Sequence, residues 1–330
     1  MRNLITDVPG LRVGAADDAR LASGVSVVLF EEPAAAWIAT VGGAPALRDG
    51  ALLAPEMTVG WVDALALSGG SAFGLDASGG VMAYLAARGR GFAKETARVP
   101  IVPGASLFDL THGGDKNWGR RSPYGDLGYA AVESAGADFA LGTAGAGHGG
   151  WTFDLKGGLG SASAVTSRGF LVGALVAVNA SGRATRGSCP HFWAAAYERA
   201  GEFGGLGEGA LAEDAFELAL ASDPENTTLA VVATDAAFSK PQMTRIAMMA
   251  AGGIALALRP AFGPGDGDIV FAASTARARE APTLRDLTEI GALAAECVAR
   301  SIARGVYEAT ALPFPGAKPS WKDKYGAVRA

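Results

Sequence analysis

Two apolar runs rich in β-branched residues, Val25 to Phe30 (VSVVLF) and Ala36 to Val41 (AWIATV), are separated only by Glu31-Glu32-Pro33. Three residues cannot hold the crossover helix that a pair of parallel neighbouring strands requires. The breaker therefore predicts two strands with no helix between them. Further strands are expected at Val99 to Val102, Phe170 to Asn179, Thr227 to Thr234 (TTLAVVAT), Asp268 to Ala273 (DIVFAA) and Val306 to Thr310. Helices are expected over Ser71 to Arg88, ended by Gly89, and over Thr283 to Arg304. Ser239 reads as the cap of another, running toward Leu258 with Pro241 in its first turn. Strands and helices so mixed favour an α/β sandwich over a doubly wound parallel sheet.

Between these elements lie a polar stretch from Ser106 to Gly128, a glycine-rich one from Gly145 to Gly160, and an acidic one from Gly201 to Glu225. The first holds Asp109, His112, Asp115, Asn117 and Trp118, and loops of that length are often functional. The last ends in Asp223-Pro224-Glu225 and reads as an exposed linker. With 47 glycines the chain should stack its layers closely.

Several function classes are disfavoured. The net charge is −5 and no lysine- or arginine-rich run occurs, so nucleic acid is a poor partner. Met1 to Val8 lacks the apolar segment of a signal peptide. The longest apolar candidate, Ile246 to Leu258, is broken by Gly252-Gly253 and falls short of a membrane span. Cys189 and Cys297 are too few for a disulfide framework or a cysteine-rich zinc site, and His112, His148 and His191 form no H-E-x-x-H. No metal and no cofactor are expected, and the simplest location is the cytoplasm. At 330 residues, 49% of them apolar, the chain suits one large domain or two ordinary ones.

The common catalytic signatures are missing. No serine sits in G-x-S-x-G, no lysine follows S-x-x, and there is no G-x-x-x-x-G-K-[ST]. Gly145, Gly147 and Gly150 match G-x-G-x-x-G, but Trp-Thr-Phe-Asp follows rather than a helix, which argues against a dinucleotide. Asn226-Thr227-Thr228 remains, where the acidic stretch meets a β-strand. A hydroxyl there can attack the preceding carbonyl, giving an ester that water splits. The freed threonine would carry both a nucleophile and an α-amine of pKa ~7.7–8.0 to act as its base. Taken alone, the same three residues also fit the start of an ordinary strand.

Three separated motifs point one way: Ile5-Thr6-Asp7-Val8-Pro9-Gly10 with Val13-Gly14, then Leu67 to Leu75 (LSGGSAFGL), then Asn226-Thr227-Thr228-Leu229. Together they resemble the DmpA family of self-processing peptidases. That family includes L-aminopeptidase/D-esterases, β-peptidyl aminopeptidases and the endo-acting 6-aminohexanoate-oligomer (nylon) hydrolases. The resemblance runs in order from Ile5 to about Thr310. It implies a four-layer αββα sandwich of the N-terminal-nucleophile type. It also implies a single domain, residues 1–330, self-cleaved into fragments 1–226 and 227–330. The Asn-Thr junction and Ile101 to Leu110 (IVPGASLFDL) look like the nylon-hydrolase branch; the aminopeptidases carry a tyrosine where this chain offers Phe108.

The resemblance further implies Thr227 as nucleophile and Lys156, Asn179, Asp266 and Asp268 as its partners. From residues alone Lys156 reads as a solvated charge in a turn. Asn179 is equally a turn former or an amide donor to an oxyanion. Asp266 and Asp268 are either a surface turn or, if on a strand, two carboxylates facing one side. Ser68, Ser71 and their glycines line the pocket or serve packing alone. The expected substrate is a small amide or short peptide, and the expected assembly a homotetramer of two-fragment units. An exo-acting aminopeptidase or D-amino-acid esterase is the alternative. An acyltransferase like ornithine acetyltransferase, using the same self-cleaving threonine, stands behind it.

Overall fold

The computed structural model describes residues 1–218 and 226–327. Its elements in chain order begin with β1 (Leu11–Asp18), β2 (Ser23–Thr40), β3 (Ala46–Arg48), β4 (Val62–Ser68) and α1 (Ala77–Ala86). A small hairpin follows, β5 (Phe92–Lys94) and β6 (Ala97–Val99), then β7 (Gly104–Ser106) and α2 (Tyr124–Glu133). The second half holds β8 (Gly158–Val165), β9 (Leu171–Asn179), β10 (Thr227–Thr234), α3 (Lys240–Ala257), β11 (Ile269–Ser274), α4 (Leu284–Glu308) and α5 (Trp321–Tyr325).

The two runs expected as separate strands are one strand, and the difference organises the fold. The first part of β2 pairs antiparallel with β1 and β4, from Val25 opposite Ser68 to Leu29 opposite Ala64. The register shifts between Leu29 and Ala34, and the second part pairs with β11, from Ala35 opposite Ser274 to Thr40 opposite Ile269. Glu31, Glu32 and Pro33 are exposed at the switch. Pro33 can stand there because its missing N–H falls where the ladder is interrupted. One strand thus belongs to two sheets: β1-β2-β4-β7-β3, and β2-β11-β10-β9-β8.

The sheets face each other, and alternation along each strand sorts its side chains into two cores. Leu229 and Val231 of β10, Leu175 and Ala177 of β9 and Phe271 of β11 meet Val28, Phe30, Leu65 and Leu67 between the sheets. Their neighbours Ala230, Val232, Val176, Val178 and Val270 point the other way, onto α3 and α4. On the far side Val25, Val27, Ala64 and Ala66 pack with residues of α1 and α2. The order is helix, sheet, sheet, helix. Strands buried on both faces read as continuous apolar runs, which is why β9 and β10 were legible. The layers are close: a Cβ on Gly160 of β8 would stand 1.8 Å from the Ser301 carbonyl oxygen of α4.

Some local expectations differ. Ser71 to Asp76 winds as a 3-10 turn before α1 begins at Ala77. The strand expected at Val99 to Val102 stops at Val99, and β7 starts at Gly104. Val306 to Thr310 is no strand, because α4 continues to Glu308 with Val306 fully buried. Ser239 caps α3 as expected, and Thr283 caps α4, each in a reciprocal capping box. The acidic stretch carries no strand or α-helix from Gly201 to Leu218, and Asp223-Pro224-Glu225 lie outside the described residues. Among the described residues no helix is long and apolar enough to cross a membrane.

Candidate active site

Register brings the site together. In the antiparallel pair β9–β10, Thr227 lies opposite Asn179, so the first residue of one strand meets the last of the other. Parallel pairing of β10 with β11 then puts the Gly265-Asp266-Gly267-Asp268 segment beside the same end. Both aspartates sit in the lead-in before β11 rather than on the strand. Thr227 is 5% exposed. It forms part of a cavity of about 250 Å³ with Ala44, Ala46, Ser71, Ser106, Phe108 and Gly265. None of those side chains is charged.

The bond before Thr227 is gripped from the β11 side. The Gly267 N–H donates to the Asn226 carbonyl oxygen at 2.8 Å. A Cβ on Gly267 would stand 2.5 Å from Thr227 Oγ1 and 2.9 Å from the Ala44 carbonyl oxygen. Only glycine leaves room for the hydroxyl there. Asn226 Nδ2 donates to Ser181 Oγ at 3.2 Å, and Ser181 Oγ donates to Asp266 Oδ1 at 2.6 Å. Asp266 Oδ2 also accepts from the Gly263 N–H at 2.7 Å.

Asp268 accepts from the Thr228 N–H at 2.6 Å and the Phe262 N–H at 3.1 Å. Burial pushes its carboxyl up to about 7; the Thr228 N–H pulls back and the Asp266 carboxylate pushes further. Neither aspartate bonds the Thr227 side chain; they reach it through its neighbours.

Asn179 is fully buried and anchored at both ends of its amide. Nδ2 donates to the Phe108 carbonyl oxygen at 2.8 Å, and Oδ1 accepts from the Trp151 N–H at 2.9 Å. Lys156 is not a solvated charge. Its ammonium is fully buried and donates to three carbonyl oxygens, Gly147 at 3.0 Å, Gly150 at 2.8 Å and Gly157 at 2.9 Å. Burial brings it down to about 7, against the pull of Asp109. The Gly145, Gly147, Gly150 match is thereby explained: two of its glycines supply carbonyls to Lys156, and the next residue, Trp151, holds Asn179.

Ser71 and Phe108 line the cavity. Ser68 does not: its hydroxyl donates to the Gly69 carbonyl oxygen at 2.8 Å. The polar loop after Ser106 supplies Asp109, which accepts from Ser23 Oγ at 2.6 Å and the Gly70 N–H at 2.8 Å. It also supplies His112, stacked on Trp151 with centroids 4.0 Å apart. Sequence reasoning passed over Ser106, Ser181 and Gly267. The G-D-G-D spacing was the one available hint, since it placed a glycine between two candidate acids. Among the described residues no group of three or more His, Cys, Asp or Glu is placed to hold a metal ion.

Comparison with known proteins identifies the family and the fold. The family model described as Peptidase family S58 matches residues 3–318. The chain is similar to an uncharacterized aminopeptidase of Mycobacterium tuberculosis, 41% identical over 346 residues and 98% of each chain. One from Mycobacterium leprae is 36% identical over 357 residues, 96% of this chain and 95% of that one. Among solved structures the fold resembles a Burkholderia sp. β-aminopeptidase, with a TM-score of 0.70 and 21% identity over 98% of this chain and 92% of that one. It also resembles the L-aminopeptidase D-Ala-esterase/amidase of Ochrobactrum anthropi, a variant of the Ntn hydrolase fold. There the TM-score is 0.74 and the identity 20%, again over 98% and 92%. At those identities the likeness is one of fold.

Proposed function

The chain belongs to peptidase family S58, hydrolases acting on amide bonds, and we propose that it opens itself between Asn226 and Thr227 and then hydrolyses short peptide-like amides with Thr227. The observation that carries this reading is the Asn226 carbonyl held by the Gly267 N–H, with the Thr227 hydroxyl against the same glycine. In self-cleavage Thr227 Oγ bonds to the Asn226 carbonyl carbon and the C–N bond breaks. The hydroxyl proton ends on the leaving nitrogen. Water then splits the ester, leaving an Asn226 carboxylate and a Thr227 with free hydroxyl and amine. In turnover that amine takes the hydroxyl proton as Thr227 Oγ bonds to the substrate carbonyl carbon, then passes it to the leaving amine as the C–N bond breaks. Water splits the acyl ester to a carboxylate and restores Thr227. Asn179 lies opposite Thr227 and keeps a second Nδ2 hydrogen for the oxyanion. Asn179→Ala is expected to slow turnover about a hundredfold with the protein still folded; an unchanged rate on a chromogenic amide would remove it from the mechanism.

Self-cleavage precedes the free amine, so its pH dependence reports other groups. With Asp268 near 7, precursor processing should quicken from pH 6 to 8 as its carboxyl ionises and accepts more strongly from the Thr228 N–H. Asp266→Asn removes a like charge, eases that ionisation and moves the midpoint to lower pH. Pulse-labelled precursor followed by gel across that range tests both; a profile insensitive to pH would discard Asp268 as the titrating group.

Two substrate readings remain, and each has its own support. The mycobacterial relatives carry the name aminopeptidase, which supports release of single N-terminal residues. The uncharged lining around Thr227 and the Asn-Thr junction support an acyl group without a nearby ammonium, as in a linear ω-amino-acid oligomer. Product lengths from a free and an N-acetylated hexapeptide separate them. Single residues from the free peptide alone favour the aminopeptidase; internal fragments from both favour the endo-acting hydrolase. A homotetramer of two-fragment units belongs to the same proposal and rests on the family resemblance; the cytoplasm is its expected location.

A further inference from the structure

Asn226 is held by more than its carbonyl, and the hydrogen-bond directions say why it is an asparagine. Ser181 has one hydroxyl proton, and that proton is committed to Asp266 Oδ1 at 2.6 Å. The Ser181 oxygen facing Asn226 therefore offers only lone pairs, and the residue at 226 must bring a donor. The Asn226 amide does so at 3.2 Å. Ser181, Asn226 and Asp266 are all nearly buried, so solvent is a poor substitute for a lost partner. From the other side, the Gly267 N–H lies 2.8 Å from the Asn226 carbonyl oxygen.

We infer that Ser181, oriented by Asp266, is a positioning residue that clamps the Asn226 side chain and, with the Gly267 N–H, fixes the scissile carbonyl for attack by Thr227. The inference deepens the self-cleavage reading and rests on it. Ser181 touches no reacting atom; it acts through Asn226. The clamp fixes which residue the junction accepts. An aspartate at 226 has nearly the same shape but would set a carboxylate oxygen against the Ser181 lone pairs with Asp266 close behind. A serine at 181 is replaceable by threonine, which keeps the hydroxyl.

Pulse-labelled full-length chain, followed by intact mass over time, tests it with Ser181→Ala, Asn226→Asp, the double variant and Ser181→Thr. Ser181→Ala and Asn226→Asp should each slow self-cleavage at least tenfold. The double variant should be no slower than the slower single one, because both break one contact. Ser181→Thr should process within about threefold of the wild type. A merely structural role for Ser181 would make the two losses multiply, and that result overturns the inference. So does wild-type processing of either single variant while the wild type is cleaved, which leaves the Thr227 chemistry standing. If Ser181→Ala fails to fold, Asn226→Asp alone decides. A wild type that stays one chain sinks the self-cleavage reading and this inference with it.

Discussion

Thr227→Ala is expected to leave one chain of 33.3 kDa, where the wild type should give fragments 1–226 and 227–330. Amide hydrolysis should fall by roughly a millionfold, the scale on which a hydrolase loses rate when its nucleophile is deleted. The loss has two sources, absent attack on Asn226 and absent attack on substrate. Thr227→Ser separates them from packing, because it keeps the hydroxyl and drops only the methyl. The serine variant should still divide and still turn over. Stability should change little in either case: Thr227 sits at the first position of β10, while the core contacts of that strand come from Leu229 onward. Intact mass under denaturing conditions reads the division directly. An alanine variant that still divides at residue 226, or a wild type active as one chain, would end the proposal.

Whether such a site can be seen in a sequence depends on which atoms do the work. Thr227, Asn179, Asp266 and Asp268 are side chains at recognisable positions, an apolar run's first or last residue or a G-D-G-D repeat, and the structure brings them to one end of β9, β10 and β11. The grip on Asn226 is different. It comes from a backbone N–H at Gly267 and a hydroxyl 45 positions earlier in the chain, and neither has a local signature. The fold divides the same way. The span of β10 was legible to the residue because both its faces are buried. The switch in β2 was not, since Glu31-Glu32-Pro33 looks like a turn wherever it occurs, and only the second sheet tells the chain to run straight on. Val306 shows packing overruling propensity: a β-branched residue stays helical because α4 needs that turn against the core.

Lys156 offers the second large effect, and its direction depends on what the ammonium is for. If it serves as a strut, Lys156→Ala takes the ammonium from all three carbonyls and opens a hole beneath them; Gly147 and Gly150 keep the backbone N–H groups of Gly150 and Gly157, and the Gly157 carbonyl keeps no donor. The one orphaned buried acceptor costs about 1–3 kcal/mol, and the hole adds to that. Relief of the buried charge offsets part of that, since burial has already brought the amine to about 7. A net loss of about 3 kcal/mol should lower the melting temperature by roughly 5 °C. Activity should fall with it, because the loop that loses its anchor carries the Trp151 N–H that holds Asn179 Oδ1. Lys156→Met fills the hole without restoring the donors, so the methionine variant should recover part of the stability and little of the activity. Should it instead melt like the wild type and still fail to cleave, the ammonium would act on Thr227 chemistry itself rather than through Asn179. Differential scanning calorimetry beside a turnover assay distinguishes the two, and equal activity in all three proteins would exclude both.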